Sequence, residues 1–285
     1  MSCAVCGEPG PARKLWKQQV EIMECTRCGL AWWEPPADFE PEAVYDAAYF
    51  ADAQARHGYD DYASLEDSLR RNFARRLARL PAPRSERRLL DVGAAYGFAV
   101  DEAVRAGFRA VGIEVSVPAA VKARDVTHGR VALASMLAPP FADETFDIVT
   151  MWDAIEHLAD PHAAVSDVAR LLRPGGCFVL TTGDVGSLLA RISGPHWHLY
   201  TIPEHLFFYT RKSLSLLLEA HGFEVESIRA EGALYTVGYL VERLRKTLLG
   251  LSRTGPSRWP GSGLCVPVNL FDLVTVTARR APQSG

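Results

Sequence analysis

The stretch Leu89-Leu90-Asp91-Val92-Gly93-Ala94-Ala95-Tyr96-Gly97 governs how the rest of the chain is read. It places a carboxylate at the end of an apolar run, then glycines four residues apart, then a helical pattern, which is the signature of a strand turning directly into a helix. A dinucleotide fingerprint needs G-x-G-x-x-G. Here Ala95 holds the second glycine position and Phe98 the sixth, which disfavours a nicotinamide enzyme. A phosphate loop is disfavoured as well, because no Gly-Lys-Ser/Thr follows.

On either side of this turn, strand and helix signals alternate. Strands are predicted at 88–92, 109–114, 131–134, 146–152, 177–182, 223–229 and 271–279, and helices at 98–106, 118–125, 162–172 and 213–221. Pro174-Gly175-Gly176 halts the third of these helices. The alternation implies an α/β fold, a seven-stranded and mostly parallel sheet with helices on both faces. Ahead of it, Leu65, Leu69, Phe73, Leu77 and Leu80 recur at helical spacing with arginines on the other face, and Pro81 ends that helix.

A chain of 285 residues has room for one large core and a small appendage. Its apolar fraction of 48%, charged fraction of 23% and formal charge of −3 give no electrostatic reason for a nucleic-acid or membrane partner. No basic segment leads into an apolar run at the N-terminus, and no stretch is long and apolar enough to span a bilayer, so a cytoplasmic protein is expected. In that reducing compartment Cys3-x-x-Cys6 and Cys25-x-x-Cys28 read as metal ligands rather than disulfides, and Cys177 and Cys265 as small apolar fillers. Four thiolates close a tetrahedral zinc site with no open position, a structural ribbon that is inert at the metal. A redox CxxC is the competing reading, and the presence of two pairs weighs against it. The few basic residues around the knuckles (Arg13, Lys14, Lys17, Arg27) are interspersed with Glu21 and Glu24, which argues against nucleic acid there as well.

The glycine-bearing turn resembles the acidic-x-Gly-x-Gly-x-Gly loop of class I S-adenosylmethionine-dependent methyltransferases. Further segments follow in that family's order: Val111-Gly112-Ile113-Glu114, the run from Phe141 to Asp153, and Leu171-Leu172-Arg173-Pro174-Gly175-Gly176. The resemblance implies a Rossmann-like domain that binds S-adenosylmethionine. Asp91, Gly93, Ala95 and Gly97 would let backbone approach the methionine part, and Glu114 would accept the two ribose hydroxyls, as acceptor-only oxygens suit a diol. Ser135 and Met136 would meet the adenine, and Asp153, where the fourth strand ends, completes the cofactor set. A plain loop serine and a core methionine are the bland alternative for Ser135 and Met136.

Ligands in parallel α/β sheets bind beyond the carboxyl ends of the strands, so the loops leaving strands four, five and six should form the acceptor site. They carry Glu156-His157, Glu204-His205 and long insertions at 183–210 and 231–269. The paired Glu-His dipeptides resemble a methyltransferase subfamily with an N-terminal four-cysteine zinc knuckle, many of whose members act in bacterial cell-surface or secondary metabolism. His157 and His205 are the candidate general bases, with Glu156 and Glu204 as orienting carboxylates. A helix cap at Glu156-His157 and a packed structural His205 are the alternatives. The stretch 234–251 reads as an amphipathic helix that covers the acceptor or forms a homodimer contact.

Three regions result: a zinc ribbon at 1–34, a linker and helical lid at 35–86 carrying Tyr45, Tyr49, Phe50, Tyr59 and Tyr62, and the methyltransferase-like domain at 87–285. The ribbon would brace the lid over the cofactor. The expected activity is methyl transfer to a small-molecule acceptor, on oxygen of a sugar or secondary metabolite. C- or N-methylation of a nucleotide-linked sugar is the alternative within the class. Outside it stands a zinc-ribbon adaptor whose methyltransferase fold no longer turns over.

Overall fold

The computed structural model of the protein describes residues 2–10, 13–17, 20–45, 49–50, 62–81, 86–241 and 263–282, with the side chains of residues 13 and 14 left aside. Three short strands come first: β1 (Arg13–Lys17), β2 (Val20–Glu24) and β3 (Ala31–Trp33). After helix α1 (Glu66–Leu77) the expected alternation follows: β4 (Arg88–Val92), α2 (Phe98–Arg105), β5 (Arg109–Glu114), α3 (Val117–Thr127), β6 (Val131–Leu133), β7 (Phe146–Trp152) and α4 (Pro161–Leu171). Next are β8 (Leu172–Gly183), α5 (Leu188–Ser193), β9 (Phe207–Phe208), α6 (Arg211–Glu219) and β10 (Phe223–Ala230). The hairpin partners β11 (Ala233–Thr236) and β12 (Cys265–Val268) precede β13 (Leu273–Arg280).

Seven of these strands form one sheet in the order β10-β13-β8-β7-β4-β5-β6. Pairings from β8 to β6 are parallel, and β13 runs antiparallel between β8 and β10. Side chains alternate between two cores, as the two-residue period of a strand requires. Leu89, Ile148 and Val179 face α1, α2 and α3, while their neighbours Leu90, Val149 and Leu180 face α4 and α6. Strands covered on both faces read as continuous apolar runs, which is why β4 and β7 were legible. Helix starts are fixed by side-chain caps: Ser116 accepts from the Ala119 amide, Asp160 from Ala163, and Thr210 forms a capping box with Ser213.

Two elements depart from the sequence reading. The fifth sheet strand begins at Leu172 rather than 177, because Pro174-Gly175-Gly176 does not end it but loops out of register: Phe146 pairs with Leu172, and Ile148 already pairs with Cys177. Residues 233–236, expected to open an amphipathic helix at 234, form β11 and pair with β12 from Ala233↔Val268 to Thr236↔Cys265. Cross-strand pairing of Tyr235 and Thr236, both good strand formers, overrides the helical spacing of the leucines. Helical backbone starts only at Val237, and the remainder of that predicted helix, with Leu244, Leu248 and its basic residues, lies outside the described residues.

The N-terminal strands make a second sheet, β1-β2-β3-β9, whose fourth strand comes from the 183–210 insertion. Cys3, Cys25, Trp32 and Trp33 accordingly belong to the same buried cluster as Val149, Ile155 and Phe208. No helix among the described residues is long and apolar enough to cross a membrane.

Candidate functional site

A cavity of about 970 Å³ opens at the carboxyl ends of β4, β5 and β7. That is the upper end of the range usual for ligand sites. Its floor is the turn after β4. Asp91 is 1% exposed, and its Oδ1 accepts a 2.7 Å hydrogen bond from the Thr150 hydroxyl of the neighbouring strand. The amides of Gly93 and Ala94 both donate to the Ile113 carbonyl at 3.0 Å, which folds the turn over the end of β5. At that end Glu114 receives two backbone donors: the Ala95 amide on Oε2 at 2.7 Å and the Ser116 amide on Oε1 at 2.8 Å. Asp91, Gly93, Ala95 and Glu114 all line the cavity.

Burial pushes the Asp91 carboxyl up to about 7, against the opposing Thr150 hydrogen bond, with the nearby Glu114 charge adding to the rise. Burial also raises Glu114, although its backbone donors hold it down. A raised carboxyl costs nothing while protonated, and its cost grows as pH climbs from its unfolded value near 4 through its folded value near 7. Asp91→Asn keeps the Thr150 donor satisfied and removes that titration. In the ligand-free protein it should therefore raise the thermal midpoint at pH 8 but not at pH 4. The gain should be on the order of a few kcal/mol, read from melting curves across that range.

Ala95 has φ +46°, in the left-handed region that L residues avoid. The conformation is imposed by its amide, which must reach Glu114, so the residue tolerates strain that a glycine would not feel. Ala95→Gly should stabilise the fold by about 0.5–1 kcal/mol in denaturant titrations, unlike the usual cost of added glycine. Gly97 needs its missing side chain for a different reason than the one expected. It does not line the cavity; a Cβ there would meet Thr127 Cγ2 at 2.6 Å and Ala123 Cβ at 3.2 Å, so it lets α2 start flush against α3.

Farther along the rim, Met136 is buried, while the Ser135 hydroxyl donates to Glu42 at 2.9 Å and accepts from the Leu137 amide. Both line the cavity. Asp153 closes the end of β7 at φ +51°, its amide on the Thr181 carbonyl and its Oδ1 accepting from the Thr181 hydroxyl at 2.8 Å. Tyr45, Tyr49, Phe50 and Tyr62, the described aromatics of the expected lid, line the same space in a chain of edge-on contacts, and Phe50 stacks on Tyr96 at 5.3 Å. Tyr59 lies outside the described residues.

On the opposite wall the two Glu-His dipeptides come together. A short 3-10 turn, Ile155–His157, leaves β7, and the rings of His157 and His205 meet edge-on with centroids 4.7 Å apart. His157 Nδ1 lies 2.9 Å from the Glu204 backbone carbonyl, and His205 Nδ1 lies 2.9 Å from the Leu199 carbonyl. A carbonyl can only accept, so each Nδ1 carries the proton and each Nε2 keeps its lone pair. The oxygens that orient the imidazoles are thus backbone carbonyls, whereas a carboxylate was expected. Burial lowers both imidazoles, His205 well below the ordinary value. Glu156 is buried, accepts from the Thr182 hydroxyl at 2.9 Å, and is pushed up to about 8 by burial and then by the Asp153 charge. A carboxylate oxygen of Glu156 and a ring nitrogen of each histidine lie within 4.8 Å of one another.

Arg76 was read as one of the outward arginines of α1, but it is buried and lines the cavity. Its guanidinium sits 3.4 Å from Asp153 and 3.9 Å from Glu231, and over the Trp152 ring at 5.4 Å. Two carboxylates and an aromatic face compensate its desolvation. Asn72, one turn earlier, exchanges both backbone hydrogen bonds with Leu234 and so clamps β11 over the cavity. The helical spacing of the leucines gave no hint of either residue. The acid Glu231 at the start of the insertion was the available signal.

The four N-terminal cysteines are free thiols, three of them buried, and every Sγ lies within 4.8 Å of the others. The Cys3–Cys28 and Cys6–Cys25 separations are 3.6 Å. Four sulfurs bound at about 2.3 Å around a tetrahedral ion lie about 3.8 Å apart, so the arrangement fits a metal and is too open for disulfides.

Residues 65–228 match the family described as a methyltransferase domain. Among curated relatives, a ubiquinone biosynthesis O-methyltransferase of Parvibaculum lavamentivorans is 30% identical over 173 residues, covering 57% of this chain and 61% of that protein. A probable S-adenosylmethionine-dependent methyltransferase of Mycolicibacterium smegmatis is 33% identical over 147 residues, 49% of this chain and 53% of that one. The chain therefore spans about three fifths or less of these two relatives' lengths. Among solved structures, geranyl diphosphate C-methyltransferase from Streptomyces coelicolor superposes with a TM-score of 0.55 at 16% identity, over 87% of this chain and 100% of that one. A chain from the complex of the Haloferax volcanii Trm112 activator with a methyltransferase gives 0.57 at 17% identity, over 78% and 94%. These two likenesses concern the fold alone.

Proposed function

We propose, since the chain belongs to the methyltransferase-domain family, that it moves the methyl group of S-adenosylmethionine to a hydroxyl oxygen of a small-molecule acceptor. The observation that carries this reading is a single cavity joining two unlike walls. One wall offers buried carboxylates and close backbone at Asp91, Gly93, Ala95 and Glu114. The other offers two imidazoles with free Nε2 lone pairs.

When bound, the cofactor supplies a methyl group already activated by its sulfonium. What remains for the protein is alignment and proton removal. Glu114 would take the ribose hydroxyls with the lone pairs that Ala95 and Ser116 leave free, a reading its position on the cavity wall supports. His157 or His205, neutral because burial disfavours the imidazolium, accepts the acceptor's hydroxyl proton on Nε2. Ser135 and Met136 would hold the purine, and Asp153, paired with Arg76, would complete the cofactor's contacts. The naming of one relative as an O-methyltransferase agrees with oxygen as the target.

Lining chemistry favours an uncharged, ring-bearing acceptor, which suits a sugar or aromatic metabolite. Seven carboxylates border the cavity (Glu40, Glu42, Asp91, Glu114, Asp153, Glu156, Glu204), and Arg76 is the one Lys or Arg among the described lining residues. Burial moves Asp91, Glu114 and Glu156 toward their neutral forms, so it is the remaining carboxylates of this set that disfavour the diphosphate of a nucleotide-linked sugar. The four cysteines, in the same reading, hold structural zinc.

The test is a panel of phenols, free sugars and nucleotide-sugars incubated with radiolabelled S-adenosylmethionine. His157→Asn and His205→Gln are run alongside. Label should appear on an oxygen of an uncharged acceptor, and at least one variant should turn over about 100-fold or more slowly with cofactor affinity unchanged. Label on carbon would sink the oxygen assignment, and absence of cofactor binding at millimolar concentration would sink the enzyme.

A further inference from the structure

The two-residue strand β9 begins two residues after His205, and a strand that short has no stability of its own. It is held by β3, with Ala31 opposite Phe208 and Trp32 opposite Phe207. The next residue of β3, Trp33, is 6% exposed and donates its indole N–H to the His205 carbonyl at 2.8 Å. The second cysteine knuckle itself docks on the far end of the same segment. The Thr210 hydroxyl donates to the Cys28 carbonyl at 2.7 Å, and the space where Gly29 lacks a Cβ is filled by Thr210 Cγ2 at 3.0 Å. From β1, Lys17 Nζ reaches the Trp197 carbonyl at 3.3 Å.

None of these ties touches the cofactor wall. Asp91–Thr150, Ala95–Glu114, Ser116–Glu114 and the Ile113 carbonyl's two bonds all lie within β4, β5, β7 and the turns leaving them. A ribbon of some 30 residues cannot bury enough surface to fold unaided, so its strands stand only when the thiolates are bridged.

We propose that the four-cysteine metal site is a positioning device for the acceptor wall. On metal loading β3 forms, β3 fixes β9, and Trp33 is the positioning residue that sets His205, while the cofactor wall stands without it. That the segment 197–210 is the acceptor wall rests on the reading proposed above. The mechanical link from the cysteines to His205 does not.

The experiment is amide hydrogen exchange on the full chain, zinc-loaded and after chelation, with S-adenosylmethionine titrated calorimetrically into both. Chelation should speed exchange across 197–210 by at least about tenfold and leave 88–116 slow, since local opening follows the contacts that are lost. Cofactor affinity should move by less than about threefold. Trp33→Phe keeps the metal and the bulk but removes the indole donor. It should speed exchange at 205–208 and shift the His205 ring signals in NMR spectra, with zinc content unchanged. Unaltered protection of 197–210 after metal loss, or unmoved His205 signals in Trp33→Phe, would overturn the proposal. Failure of the zinc-loaded chain to bind cofactor at all would instead count against methyl transfer and leave the exchange result standing on its own.

Discussion

Replacing Glu114 with alanine should weaken S-adenosylmethionine binding by about 100-fold or more, in calorimetric titration of the otherwise intact protein. The carboxylate is expected to make ribose contacts, and it is also the anchor of the turn. Its removal strands the part-buried amide of Ala95 and the buried amide of Ser116, which now donate to it at 2.7 and 2.8 Å. Each stranded donor costs about 1–3 kcal/mol, and the loss of charge-assisted bonds to the ligand adds a comparable amount. Glu114→Gln keeps one acceptor oxygen and should fall between the two. Unchanged affinity in the alanine variant would place the ribose elsewhere.

If the four cysteines hold zinc as proposed, changing Cys25 to serine should remove about one equivalent of it by elemental analysis and unfold the ribbon around it. Cys25 is 1% exposed and forms part of a tight turn, its carbonyl accepting from the Gly29 amide at 2.8 Å. The apparent binding energy of a structural zinc, about 10–16 kcal/mol, is also the folding energy of such a segment, so no partial effect is expected. Trp32 and Trp33, each 6% exposed, would become wet, and tryptophan emission should move to the red. Cys177→Ser is the control, because that thiol packs in the sheet core and is no ligand. A Cys25 variant that retains a full equivalent of metal would refute the four-thiolate assignment.

What could be read from sequence follows the range of each interaction. Asp91 to Gly97 and Glu114 were legible because a turn between adjacent parallel strands is a local event, written in consecutive residues. The cluster of four cysteines was legible because two x2-spaced pairs are a local pattern, the one that a metal's ligand geometry would require. Arg76 was not, since its partners Asp153 and Glu231 are 77 and 155 residues away in sequence, and an arginine among leucines looks like a solvated face. Phe207–Phe208 was not, because its partner strand is β3, far back in the ribbon. Gly97 was legible as necessary, but its packing against α3 was not, because Ala123 and Thr127 lie a whole strand and helix further along.

The position of β13 bears on biosynthesis. It is the last strand of the sheet to be made, yet it lies between β8 and β10, pairing with one through Leu273↔Gly183 to Arg279↔Cys177 and with the other through Val274↔Ala230 to Arg280↔Phe223. Until it emerges from the ribosome, the nascent chain holds two completed strands with bare edges and nothing to join them. Such edges invite pairing with neighbouring chains. The exposed edges of β8 and β10 therefore persist until β13 has been made, and shielding them in that interval should raise the yield of folded protein.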